Sequence, residues 1–154
     1  MKKSIHLAVI LTLALAAIAP AQVALPTNDP IPQSHLITAD DFAKELQAAK
    51  QKPVILNIGP RSLFSQAHIP NSEYMGAGSS DAAKQQLKDR VKPLPKNTEI
   101  VLYCGCCPWG HCPNVHPAYQ LLHSLGYTNV KVIYITGDFG CDWVNKGYPV
   151  ARGE

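Results

Sequence analysis

The chain has 154 residues, 46% of them hydrophobic, and a formal charge of +3 from 14 basic and 11 acidic side chains. That length holds one compact core. The weak charge comes without the basic run that follows a phosphate backbone, which excludes nucleic acid as a partner.

Lys2 and Lys3 precede an apolar run from Ile5 to Ile18, and Ala19-Pro20-Ala21 follows with small residues at its ends. This is the layout of a secretory signal peptide cut after Ala21, and the run is shorter than the roughly 20 residues a membrane span needs. Residues 1–21 are expected to be a leader. The mature chain is expected to be periplasmic or secreted, with no membrane insertion after cleavage. Lys2 and Lys3 leave with the leader, so the formal charge falls by two.

Residues 22–35 carry Pro26, Pro30 and Pro32 with no apolar period and read as an extended, proline-rich linker. The domain, residues 36–154, opens with a short strand at Leu36-Ile37. Thr38 and Asp41 resemble a capping box, and Phe42, Leu46 and Ala49 recur at helical spacing up to Lys50. Pro53 to Ile58 is a short run rich in β-branched residues bounded by Gly59-Pro60, the mark of a buried strand. A helix is expected from Asp81 to Val91, stopped by Pro93 and Pro95. Glu99 to Tyr103 is the next buried strand, and it delivers Cys104 at its carboxyl end. Asn114 is placed to N-cap a helix bearing Ala118, Leu121, Leu122 and Leu125, which Gly126 ends. A strand from Val130 to Ile135 follows, then a short helix from Phe139 to Lys146 holding Trp143. Alternating strands and helices predict an α/β fold, a doubly wound parallel sheet flanked by helices. Ligands on such sheets sit beyond the carboxyl ends of the strands, where Cys104 falls.

Four of the five cysteines, Cys104, Cys106, Cys107 and Cys112, crowd into one loop, and Cys141 stands apart. Disulfide frameworks spread their cysteines, so clustering points to thiol chemistry or metal binding. A cysteine between a strand end and a helix N-terminus meets free backbone N–H groups, which favour the thiolate. Three readings of the loop stay open. Cys104 could be a nucleophile, with Gly105, Cys106, Cys107, Trp109 and Cys112 forming its loop and resolving thiols. Cys107 and Cys112 could form a redox dithiol, Cys106 and Cys107 a strained and easily reduced bridge, or two of the four a disulfide that staples the loop. Cys104, Cys106, Cys107, His111 and Cys112 could hold copper(I) or zinc, with copper better suited to so many sulfurs. Cys141 is expected to be a small buried hydrophobe. His116 and His123 are expected on an exposed helix face, and Asp138 and Asp142 as turn and cap residues.

Three blocks of this sequence resemble the rhodanese domain family, in order, over Leu36 to Val150. They are Val54 to Ile58 with Phe64 and Ala67-His68-Ile69-Pro70-Asn71-Ser72, then Ile100 to Cys104, then Leu121-Leu122 through Gly126-Tyr127, Gly137, Trp143 and Gly147-Tyr148-Pro149-Val150. The resemblance implies a sulfurtransferase that carries sulfur on Cys104 as a persulfide, without an organic cofactor. Its partners would be a small sulfur donor such as thiosulfate, a thiol or cyanide-like acceptor, and a periplasmic thiol reductant. Asn57 and Gly59 stand where the family usually has Asp and Arg. The loop after Cys104 is about five residues longer than the family's, and counting back from the helix favours Cys107 over Cys104. Arg61 and His68 are expected in supporting roles.

Overall fold

The computed structural model describes residues 23–153; the expected leader lies outside the described residues. Five strands form one parallel sheet in the order β1-β5-β4-β2-β3. They are β1 (Leu36–Thr38), β2 (Val54–Asn57), β3 (Glu73–Tyr74), β4 (Ile100–Tyr103) and β5 (Val130–Tyr134). Four helices connect them: α1 (Ala39–Ala48), α2 (Arg61–Gln66), α3 (Asp81–Val91) and α4 (Val115–Ser124). No helix among the described residues is long and apolar enough to cross a membrane.

Strand parity divides the core in two. Leu56, Ile100, Leu102 and Val132 face α3 and α4, while Ile55, Val101, Tyr103 and Ile133 face α1 and the closing turn around Trp143. Side chains alternate along a strand, so Cys104 keeps the parity of Ile100 and Leu102 and points toward the α4 side. β4 lies between β2 and β5, with Leu56 opposite Leu102 and Leu102 opposite Val132. Cys104 therefore emerges from the middle of the sheet.

The predicted helix and strand positions are borne out closely. Thr38 caps α1, its Oγ1 accepting from the Asp41 N–H at 3.1 Å, and α3 spans the expected residues. Gly126 ends α4 with φ +84°. Three expectations need correction. Asn114 does not cap α4 with its side chain, which is drawn elsewhere. The expected helix at 139–146 is one wide turn, Gly140–Val144, closed by the Asn145 N–H on the Gly140 carbonyl at 2.8 Å. The proline-rich segment is not a free tether: Ile31 is only 1% exposed and belongs to the core beside α4. The short helix α2 and strand β3 are additions that their polar, aperiodic sequences did not announce.

Candidate active site

Cys104 follows the last residue of β4 and is 4% exposed. The chain then turns at Gly105, where φ is +72°, a region that favours glycine. A Cβ there would come within 2.6 Å of the Phe139 Cβ. Gly105 also accepts the Phe139 N–H at 3.0 Å, which ties the start of the loop to the closing segment. The loop runs through Cys106 and Cys107 to a single tight turn at Trp109–His111. Cys112 then leads into α4.

Asn114 is the hub of the loop. It is 3% exposed, and its Nδ2 donates to the sulfurs of Cys104 at 3.4 Å and Cys106 at 3.7 Å. Its Oδ1 accepts from the N–H and hydroxyl of Ser79 at 3.2 and 3.0 Å. A residue that would ordinarily cap α4 instead joins the loop to the segment before α3. Gly78 permits this, because a Cβ there would sit 2.5 Å from the Asn114 carbonyl oxygen.

The sulfurs of Cys104, Cys106 and Cys112 lie within 4.8 Å of one another. Cys107 touches the edge of this group, its sulfur 3.2 Å from that of Cys106. No two of the five cysteine sulfurs are bonded to each other. The hydrogen bond between Cys104 and Cys112 shifts the two thiols in opposite directions. The hydrogen bond from Cys104 pulls Cys112 down to about 5 against the cost of burial, helped by the amides of Asn114 and Val115 at the start of α4. The same bond, with burial, pushes Cys104 well above the ordinary thiol range. Burial and the neighbouring Cys106 push Cys107 up to about 12. The helix N-terminus thus acts on Cys112, at the far end of the loop from Cys104.

An open cavity of ≈ 400 Å³ lies over the carboxyl ends of the strands. Cys104, Gly105 and Cys106 line one side, Phe64 and Phe139 supply apolar walls, and Arg152 brings a positive charge. Asn57 also lines it, its Oδ1 accepting the Gly59 N–H at 3.0 Å. Gly59 itself lies against the thiol: a Cβ there would be 3.2 Å from the Cys104 sulfur.

The structure gathers Cys104, Gly105, Cys106 and Cys112 into one site. His68 lies apart, buried and stacked on Phe64 with ring centroids 3.9 Å apart, its Nδ1 on the Phe64 carbonyl at 2.8 Å. Arg61 places its guanidinium 4.6 Å from the Tyr74 ring centroid. His111 is exposed and outside the sulfur group. Trp109 is nearly buried, its Nε1 donating to Asp29 at 2.6 Å, and Asp29 also meets His116 Nε2 at 3.0 Å. His116 is therefore engaged rather than solvated. Cys141, expected inside, is exposed, because the wide turn after Phe139 directs Trp143 inward and Cys141 out. Asp138 and Asp142 serve as expected, accepting the N–H groups of Cys141 and Gly137 at 2.7 and 3.0 Å. Sequence reasoning missed Asp29 and Arg152, which lie in segments with no pattern. It saw Asn114 but gave it the commoner task.

A model of the rhodanese-like domain matches residues 38–139. Among solved structures, a rhodanese-like domain from Anabaena sp. is 22% identical, with a TM-score of 0.57 over 77% of this chain and 79% of that one. The BH2092 protein of Bacillus halodurans is 18% identical, with a TM-score of 0.57 over 77% of each chain. A thiosulfate sulfurtransferase from Pseudomonas aeruginosa is 25% identical, with a TM-score of 0.55 over 77% of this chain and 20% of that one. No curated protein matches the sequence significantly.

Proposed function

This chain belongs to the rhodanese-like domain family, and from that premise we propose that it is an exported sulfurtransferase carrying sulfane sulfur on Cys104. The observation that carries this reading is the Cys104 thiol at the carboxyl end of the central strand, lining a cavity open to a small donor. The Pseudomonas relative makes thiosulfate the natural first donor to try.

In the proposed first half-reaction, the Cys104 sulfur attacks the outer sulfur of thiosulfate. The S–S bond of the donor breaks and sulfite leaves with its electron pair. The Cys104 proton passes to the Cys112 thiolate, which already accepts the hydrogen bond from it. Cys104 is left as an anionic persulfide, with Asn114 Nδ2 as a donor to the original sulfur. In the second half-reaction a thiolate or cyanide attacks the outer sulfur, and Cys104 leaves and recovers its proton from Cys112. Arg152 is the cation at the cavity that would meet the anionic donor. Export rests on the leader-like run before Ala21, and outside the cytoplasm a partner thiol reductant would keep the loop reduced.

The test is mass spectrometry of reduced, metal-free protein after exposure to thiosulfate and then cyanide. No Lys or Arg lies between Lys96 and Lys131, so trypsin leaves the four loop cysteines on one peptide and the position must be read from fragment ions. One sulfur on Cys104, removed by cyanide, is expected. A persulfide retained in the Cys104→Ser protein would overturn the assignment.

A further inference from the structure

Sulfur transfer on Cys104 with Cys112 as its proton acceptor leaves the third sulfur of the group, that of Cys106, without a task. We infer that Cys104, Cys106 and Cys112 form a trithiolate site for one copper(I) ion, an inference that does not depend on the chain being a sulfurtransferase. The three sulfurs lie within 4.8 Å of one another. Metal–sulfur bonds of about 2.3 Å in a trigonal plane put the sulfurs about 4 Å apart, inside that limit. An ion can therefore be taken up by small side-chain rotations.

The backbone around the three sulfurs is already fixed. Cys104 is held by β4, and Cys112 by the start of α4. Gly105 anchors the intervening loop through its bond with Phe139. Asn114 Nδ2 donates to the sulfurs of Cys104 and Cys106, a contact that offsets the negative charge of a metal thiolate. Uptake replaces each remaining S–H by a metal–sulfur bond and releases its proton, with no change of oxidation state.

The donor set selects the ion. Zinc in a closed protein site takes four ligands. Among the described residues the cluster stops at three sulfurs: Cys107 lies outside it and His111 is exposed. Three soft sulfurs without a nitrogen or carboxylate suit copper(I). A copper ion and a persulfide would compete for the Cys104 sulfur, so metal occupancy would silence sulfur transfer.

The test uses the reduced mature protein without oxygen, with copper(I) supplied as its acetonitrile complex against the chelator bicinchoninate. X-ray absorption on the loaded wild-type protein should show one copper per chain with three sulfur neighbours, a result that needs no variant to fold. Cys106→Ser and Cys112→Ser, checked for folding by circular dichroism, should each lose about 100-fold or more in affinity. Cys107→Ser, His111→Ala and Cys141→Ser should hold copper as the wild type does. Copper left entirely with the chelator, a nitrogen or fourth sulfur in the spectrum, or equal loss in Cys107→Ser would overturn the site. Copper is measured without thiosulfate and the persulfide without copper, so each reading can fail while the other stands.

Discussion

Cys112 and Cys104 are shifted in opposite directions by the hydrogen bond between them, and this has a consequence for stability. Cys112 titrates at about 5 in the folded chain and near the ordinary 9.0 once unfolded. Between those values the unfolded chain holds a proton that the folded chain does not, so this contribution grows as pH rises from about 5 to 9 and is lost as pH falls through about 5. Cys104 is shifted the other way, so above 9.0 its contribution declines. Reduced, metal-free protein should therefore gain resistance to urea from pH 5 toward pH 9, and Cys112→Ser should abolish that slope. Two other residues, one lining the cavity and one against the Cys104 thiol, give sharper kinetic expectations. Arg152→Gln should raise the KM for thiosulfate with little change in kcat, because the side chain lines the cavity that an anionic donor would enter. Gly59→Ala should slow persulfide formation while the protein still folds, since the new methyl would sit 3.2 Å from the Cys104 sulfur. An unchanged rate in that variant would mean the thiol can move aside at no cost.

At the scale of elements, Asn114 decides how α4 meets the loop. Its side chain bonds to Ser79 and to two sulfurs instead of to the helix amides. Asn114→Ala should therefore cost about 0.5–1.5 kcal/mol through the lost hydrogen bonds to Ser79, read from the shift in denaturation midpoint. The helical signal of α4 should be unchanged, since no side-chain cap is lost. This position also marks where sequence reading stops. The strands β2, β4 and β5 were legible because runs such as Ile100 to Tyr103 are continuously apolar and bounded by turn residues, and α1 was legible from Thr38 and its apolar stripe. The placement of Cys104 followed from its position at the carboxyl end of the buried run Ile100 to Tyr103. The role of Asn114 was not legible, because its partners come from Ser79, which lies 35 residues away, and no local pattern encodes that meeting. That Cys112 and Cys104 belong to one cluster was legible from their crowding in one stretch, but which of the loop sulfurs meet was not, because that depends on the path between β4 and α4, tied by Phe139 and Trp109.

The whole molecule is fastened from its N-terminal arm. Asp29 accepts from Trp109 Nε1, meets His116 Nε2 and receives the Ile31 N–H at 2.8 Å, while Ile31 is sealed in the core. Burial alone would raise the Asp29 pKa, but the Ile31 amide, Trp109 and His116 together hold it below the usual carboxylate value. The stability it contributes is thus present above the ordinary carboxylate pKa and lost as pH falls below it. Asp29→Ala should loosen the arm. It should cost about 1.5–3 kcal/mol, as for hydrogen bonds to a charged group, and shift the fluorescence of Trp109 toward that of a solvated indole. Trp143, fully buried on the other face of the sheet, supplies an unchanged reference signal.

Both ends of the described chain finish at this same region. Asp29 grips Trp109 in the cysteine loop, and Arg152 borders the cavity in front of Cys104. A pull on the arm at Asp29 would be passed through Trp109 into the cysteine loop. Bulk added after Arg152 would stand at the cavity mouth. A change in the arm at Asp29 or in the segment around Arg152 is therefore felt at the cysteine loop as well as where it is made.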